Sequence, residues 1–304
     1  MPPRILGFLG AMIVAVGTLP IVRFLGGGND ARGFQLFAII LSVIFVVTGL
    51  ITFFNTKERV VVPPKKGEKF TDSLFVIFKN GPLLILLVSS LLLATGASIR
   101  GGVALYYFKY NIENEMLFSM YALISAVVSL ISMFFAPMVS NKFGKKTSGM
   151  LAIGLMLFVF VMSYFIPPTM PIVFILVNAI SGFGFGIFNV VITSMFADTV
   201  EYAEWKTGKR SESLVFAIVA FVTKASIALG GSAVAFSLAF YDFIPNVEQS
   251  EATLYGIRNL VSLWPALIVV VSMIVMFFYQ ITEKRYAEIL EELEARRLAN
   301  QQVS

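Results

Sequence analysis

The chain has 304 residues, 58% of them hydrophobic and 13% charged, with a net charge of +5 and a mean hydropathy of +0.85. A soluble domain is about 45–50% apolar and about 25% charged, so this much apolar surface exceeds one globular core and must face lipid. There is no Cys and no His, which excludes disulfides, thiolate and imidazole chemistry and the usual transition-metal ligands.

The apolar residues come in long runs, not in short alternating segments, so the expected fold is all-α and not a transmembrane barrel. A span needs about 20 mostly apolar residues. Segments 5–24, 34–54, 82–108, 115–138, 148–166, 171–195, 214–240 and 258–280 qualify, giving a membrane protein of about eight transmembrane helices. The first lacks a small-residue cleavage site and reads as a span, not a signal peptide. Residues 55–80 form the longest polar connection, with Pro63, Pro64 and a run of Lys and Arg, which is linker chemistry. This connection separates 1–54, two spans, from 81–281, six spans. Residues 282–304 form a charged, helix-forming tail outside the bilayer.

Lys and Arg cluster in 55–80, 141–147, 197–213 and the tail, whereas Arg23, Arg32, Lys109 and Arg258 fall on the other side. That bias places both termini in the cytoplasm of a multi-pass protein of the cell membrane. It also explains the net charge without nucleic-acid binding. Six spans, a basic linker and six more spans is a layout of secondary transporters built from repeated halves. Two spans before the linker leave two readings: an eight-span protein, or a chain whose four N-terminal spans are missing.

Lys224 sits 11 residues beyond the boundary at Ser213, about 16 Å into the apolar core. Its stem reaches only about 6 Å, too short to snorkel out. A charge at that depth costs at least ~2.5 kcal/mol, so it faces a wet cavity or a partner. The favoured reading is a cavity-lining group that meets substrate hydroxyls; the other is an ion pair between helices. Arg100 lies toward the outer end of its span, flanked by Gly96, Gly101 and Gly102, and is read either as cavity-lining or as reaching the interface. Tyr106 and Tyr107 read as interfacial anchors or as sugar-facing rings, the anchor being the favoured use.

Gly182, Gly184 and Gly186 open one face of the sixth span for close helix packing. They are not a dinucleotide fingerprint, since no strand precedes them. Asn189 either lines the cavity or makes a helix–helix hydrogen bond. The segment from Ala197 to Ser213 reads as a charged loop, with Asp198, Glu201 and Glu204 at every third residue. It is either a solvated loop or a gate that closes by pairing charges and opens by parting them.

MFADTVEYAEWKTGKRSE, followed by the intramembrane Lys224, resembles the glycoside-pentoside-hexuronide:cation symporters, the melibiose-permease-like branch of the major facilitator superfamily. PRILGFLGAMIVAVGTLPIVRFLGGGNDARGFQLF is similar to that family's fifth span and outer loop, YYFKY to the end of the seventh, and IPNVEQS to the loop before the twelfth. The resemblance implies a partial major facilitator fold: two helices of the N-terminal half plus a complete six-helix C-terminal half. It implies that Arg4 and Lys224 shape the sugar site, and that Asp198, Glu201, Glu204 and Arg210 belong to a cytoplasmic gate. Asn189 stands where a family member has a sugar-cavity tryptophan, and Asn141 in NKFGKK replaces the usual aspartate.

The implied function is sugar:cation symport, by an N-terminally truncated form. The family's cation-binding carboxylates belong to the first four spans, and no Asp or Glu lies in the interior of any span here. Na⁺ or H⁺ is thus the coupling ion of the intact family, with its site missing from this chain. No other cofactor and no metal is expected. The partners are the lipid bilayer, a sugar or glycoside, and the missing four spans as a separate polypeptide. A membrane subunit or remnant without independent transport, and a transporter of another solute, are the alternatives. No nucleophile–base pair is visible, so an enzyme is not expected.

Overall fold

A computed structural model of the chain describes residues 20–56, 77–208 and 212–303, together with Gly7, Gly10, Gly17 and Thr18. Arg4, Arg210, most of the first expected span and most of the 55–80 connection lie outside the described residues. The chain divides into two compact units, Met1–Glu68 and Lys69–Ser304.

In the first unit a short helix, 20–26, turns into α1 (Asp30–Asn55). Gly27 and Gly28 take φ of 54° and 96°, backbone that only glycine adopts without strain. Asn29 caps α1 by accepting from the Arg32 N–H at 3.1 Å. The helices approach closely, since a Cβ on Gly33 would lie 2.2 Å from the Val22 carbonyl oxygen.

The second unit is a helical bundle. Its elements are α2 (Gly81–Tyr106), a π-helical turn (Tyr107–Asn111), α3 (Met116–Phe143), α4 (Lys145–Phe165), α5 (Pro171–Thr207), α6 (Glu212–Phe240), α7 (Glu251–Val261), α8 (Leu263–Phe277) and α9 (Glu283–Val303). Helix starts carry ordinary signals: Asn80 accepts from the Leu83 N–H at 3.1 Å, Ser250 from the Thr253 N–H at 3.2 Å, and Pro171 opens α5. Among the described residues, 7 helical stretches are long and apolar enough to cross a membrane.

α5 packs against α3 and α4, and α2 against α6 and α8. The glycines of α5 explain the first contact. A Cβ on Gly182 would lie 2.6 Å from the Ser125 carbonyl oxygen, and one on Gly186 only 1.9 Å from Ser132 Oγ, both on α3. Gly184 points elsewhere, toward the Ala152 carbonyl of α4 at 2.9 Å. The three glycines therefore serve two faces, not the single face that their sequence suggests. Between α2 and α8, Ser89 and Ser272 exchange hydrogen bonds: Ser89 Oγ donates to the Ser272 carbonyl at 3.1 Å and Ser272 Oγ to that of Ser89 at 2.8 Å.

Three expectations need correction. Residues 197–207 are helix, not loop, because Ala, Glu, Trp and Lys continue a helix readily and nothing stops it until Gly208 takes φ 70°. Segment 258–280 is not one helix: it starts at Glu251, breaks at Ser262 (φ −133°, ψ −70°) and ends at Phe277. Pro265, which has no N–H for the preceding turn, accounts for the break. Tyr107 is fully buried and packs on Phe174 at 4.9 Å between centroids, so it is not an interfacial anchor.

Candidate functional site

Lys224 lies near the middle of α6, and its side chain is exposed. It makes no hydrogen bond or ion pair among the described residues. The opposite face of α6 is the packed one. There Ser226 Oγ donates to the Leu91 carbonyl at 3.3 Å, and a Cβ on Gly230 would come within 2.4 Å of Ser98 Cβ. On the Lys224 side, Ala217, Ala220, Ala228, Gly231 and Ala235 are all exposed at three- and four-residue steps. Such spacing makes a continuous strip of small side chains along the helix. Nothing lies within 4 Å of the position a Gly231 Cβ would take. Lys224 is thus a lone amine on a strip that packs on no other described helix of the second unit.

Asn189 is half-buried on α5, and its Nδ2 donates to the Phe185 carbonyl of its own helix at 2.9 Å. No neighbouring described helix takes its amide. Arg100 has the opposite environment to Lys224. Only 4% exposed, its guanidinium donates to the Val261 carbonyl and, at 3.2 Å, to Ser163 Oγ. It also lies 4.4 Å from the Phe160 ring centroid. The Val261 carbonyl is the one that Pro265 leaves without a helical donor, so Arg100 supplies what the proline removes.

The charged ends of α3, α4, α5, α8 and α9 meet in a second cluster. Asp198, 5% exposed, accepts from Lys145 Nζ through both carboxylate oxygens at 2.7 Å each. The same amine sits 4.7 Å from the Tyr286 ring centroid, and the Lys145 backbone N–H donates to the Glu283 carboxylate. Gly144, with φ 80°, seats that carboxylate: a Cβ there would fall 2.6 Å from Glu283 Oε2. Beside them, burial first and the Asp198 charge second push the Tyr279 phenol far above its ordinary range, which keeps it neutral. Further along, Trp205 Nε1 donates to Glu292 at 2.6 Å and Arg296 donates to the Trp205 carbonyl at 2.9 Å. Arg285 lies 4.9 Å over the Trp205 ring. Glu201 and Glu204 are half-buried one and two turns beyond Asp198 on α5.

The sequence matches the family model described as MFS/sugar transport protein over residues 4–283. The chain belongs to this family. It is therefore a multi-pass membrane protein of a transporter family, and the glycoside-symporter resemblance read from its motifs has support from that match. The "Uncharacterized symporter YnaJ" of Bacillus subtilis is 31% identical over 95% of this chain and 63% of its own length. The "Isoprimeverose transporter" of Lactiplantibacillus pentosus is 30% identical over 96% of this chain and 61% of its own. The "Glucuronide carrier protein homolog" of Escherichia coli is 28% identical over 89% and 59%. The chain thus spans less than two thirds of the length of these relatives, which are named as transporters, not enzymes.

In this MFS/sugar transport chain, sequence reasoning marked Asp198 but missed its base. The partner is Lys145, at the start of α4. The signal was present in NKFGKK, a basic turn between two spans, but its pairing across 53 positions is a property of the fold.

Proposed function

We propose that this chain carries part of a sugar:cation symporter, with Lys224 and Asn189 facing a glycoside in a polar vestibule. The observation that carries the reading is the Lys224 amine, without a partner among the described residues, midway along an apolar helix. In hydrocarbon that placement costs at least ~2.5 kcal/mol, whereas a water-filled path removes the cost and leaves three donors for sugar hydroxyls. The strip of small residues beside it leaves room for a ring. The Lys145–Asp198–Glu283 junction, with Glu201, Glu204 and Arg210, forms the gate at the cytoplasmic mouth. The excess of Lys and Arg at that end supports its orientation, with both termini inside.

Cation coupling is proposed for the complete carrier and not for this chain's own spans. Among the described residues the one buried carboxylate is Asp198, and Lys145 already occupies it. The test is saturable binding of isoprimeverose and of a nitrophenyl glucuronide to the purified chain in detergent. Lys224→Gln should weaken binding by about ten-fold or more, the loss of a charge-assisted hydrogen bond, with helical content unchanged. Equal affinity in the parent and the variant, or no saturable binding of either sugar, would sink the reading.

A further inference from the structure

An open groove with a volume of 330 Å³ lies between α4 and α8, and every residue that lines it is apolar. Met150 and Leu157 of α4 form one wall, and Met273, Ile274 and Phe277 of α8 the other. Gly154 falls between Met150 and Leu157 on the same helix face. A Cβ there would meet only Met273 Cε, at 3.9 Å, so the missing side chain deepens the floor. No hydrogen-bonding side chain reaches into the groove, which makes it unsuited to a sugar. Its section suits a hydrocarbon chain.

One end of the groove is not neutral. Lys146 stands one turn before Met150 on the same stripe, and its Nζ donates to the Phe277 and Tyr279 carbonyls at 2.7 Å each. It lies 5.4 Å from the centroid of the Phe277 ring, which is itself part of the wall. These two bonds fix the amine at the mouth. An ammonium has three donors, so one donor and the whole charge remain available. No carboxylate pairs with Lys146 among the described residues, and exposed Lys142 lies in the last turn of α3, just before the Gly144 break.

We propose that this groove is a binding site for an anionic glycerophospholipid, one acyl chain lying along Met150, Gly154 and Leu157 and the phosphate resting on Lys146. An apolar trough that ends in a fixed, unpaired amine matches both parts of such a molecule. A neutral lipid would fill the trough and leave the amine unanswered. The site is separate from the Lys224 strip, since Lys224 is on α6, and it stands whether or not the chain binds sugar.

The full 304-residue chain, purified in detergent, is mixed with equal amounts of phosphatidylglycerol and phosphatidylcholine carrying identical acyl chains, and retained lipid is counted by native mass spectrometry. Phosphatidylglycerol should be retained in preference, by about five-fold for one cation at a headgroup surface. Lys146→Gln should abolish the preference and Lys146→Arg should keep it. Gly154→Leu, which fills the trough and leaves the amine in place, should reduce retention of both lipids and so decides the matter if Lys146→Gln fails to fold. Equal retention of the two lipids by the parent chain overturns the proposal. So does phosphatidylglycerol retention that neither Lys146→Gln nor Gly154→Leu changes, or a lipid-free groove in a chain that dimerises through it.

Discussion

Arg100 and Lys224 are both cations inside apolar runs, and depth alone does not separate their roles. Lys224 is legible in the sequence, because a charge in the middle of a long span has few places to go. Arg100 is not, because its acceptor is made elsewhere: Pro265 frees the Val261 carbonyl, 161 positions away along the chain. The guanidinium fills that gap, holds Ser163 and stacks near Phe160, with no carboxylate required. Arg100→Met removes both donors and leaves a buried carbonyl and hydroxyl with poorer partners, a loss of about 3 kcal/mol. Unfolding in detergent by denaturant should show it. Pro265→Ala restores the missing N–H, so the Arg100→Met/Pro265→Ala pair should lose clearly less than the two single changes added together. Strict additivity would mean that the carbonyl is not what the two residues share.

At the scale of elements, the rough limits of the seven described spans were readable from hydropathy, since lipid imposes a length that sequence must satisfy. Where helices continue beyond the bilayer the same signal fails. Residues 197–207 look like loop only because they are charged, yet α5 runs on to meet α9. Close packing was also readable from the glycines, though not the split of Gly184 from Gly182 and Gly186 between two neighbours. Gly186→Val should prevent α3 and α5 from meeting, because the added carbon would overlap Ser132, and the chain should lose its cooperative thermal transition. Gly231→Val, on the open strip, should fold normally. The α9 contact is tested by Trp205→Ala. That change removes the ring that Arg285 covers and the donor that Glu292 accepts, so limited proteolysis at Lys284 and Arg285 should speed up about ten-fold as the tail spends more time undocked. An unchanged rate would mean that Ile289 and Leu293, both buried, hold α9 without it.

For the whole molecule, the balance of charges says more than any single site. A hard cation such as Na⁺ binds through several oxygen ligands, carboxylates above all. Among the described residues no three Asp or Glu side chains gather into such a set. The buried acid that is present, Asp198, answers Lys145 at the end of the bundle, so releasing it for Na⁺ would leave the half-buried Lys145 amine without its counter-charge. Lys224 and Asn189, the groups proposed to face sugar, are by contrast basic or neutral and need no cation to donate to hydroxyls. Sugar affinity of this chain should therefore be the same in Na⁺ and in K⁺ at equal ionic strength, and Asp198→Asn should not alter it. Titration calorimetry in the two salts measures this directly. A ten-fold tightening by Na⁺ that disappears in Asp198→Asn would place the cation on that carboxylate, and would require the Lys145 bond to open as the ion enters.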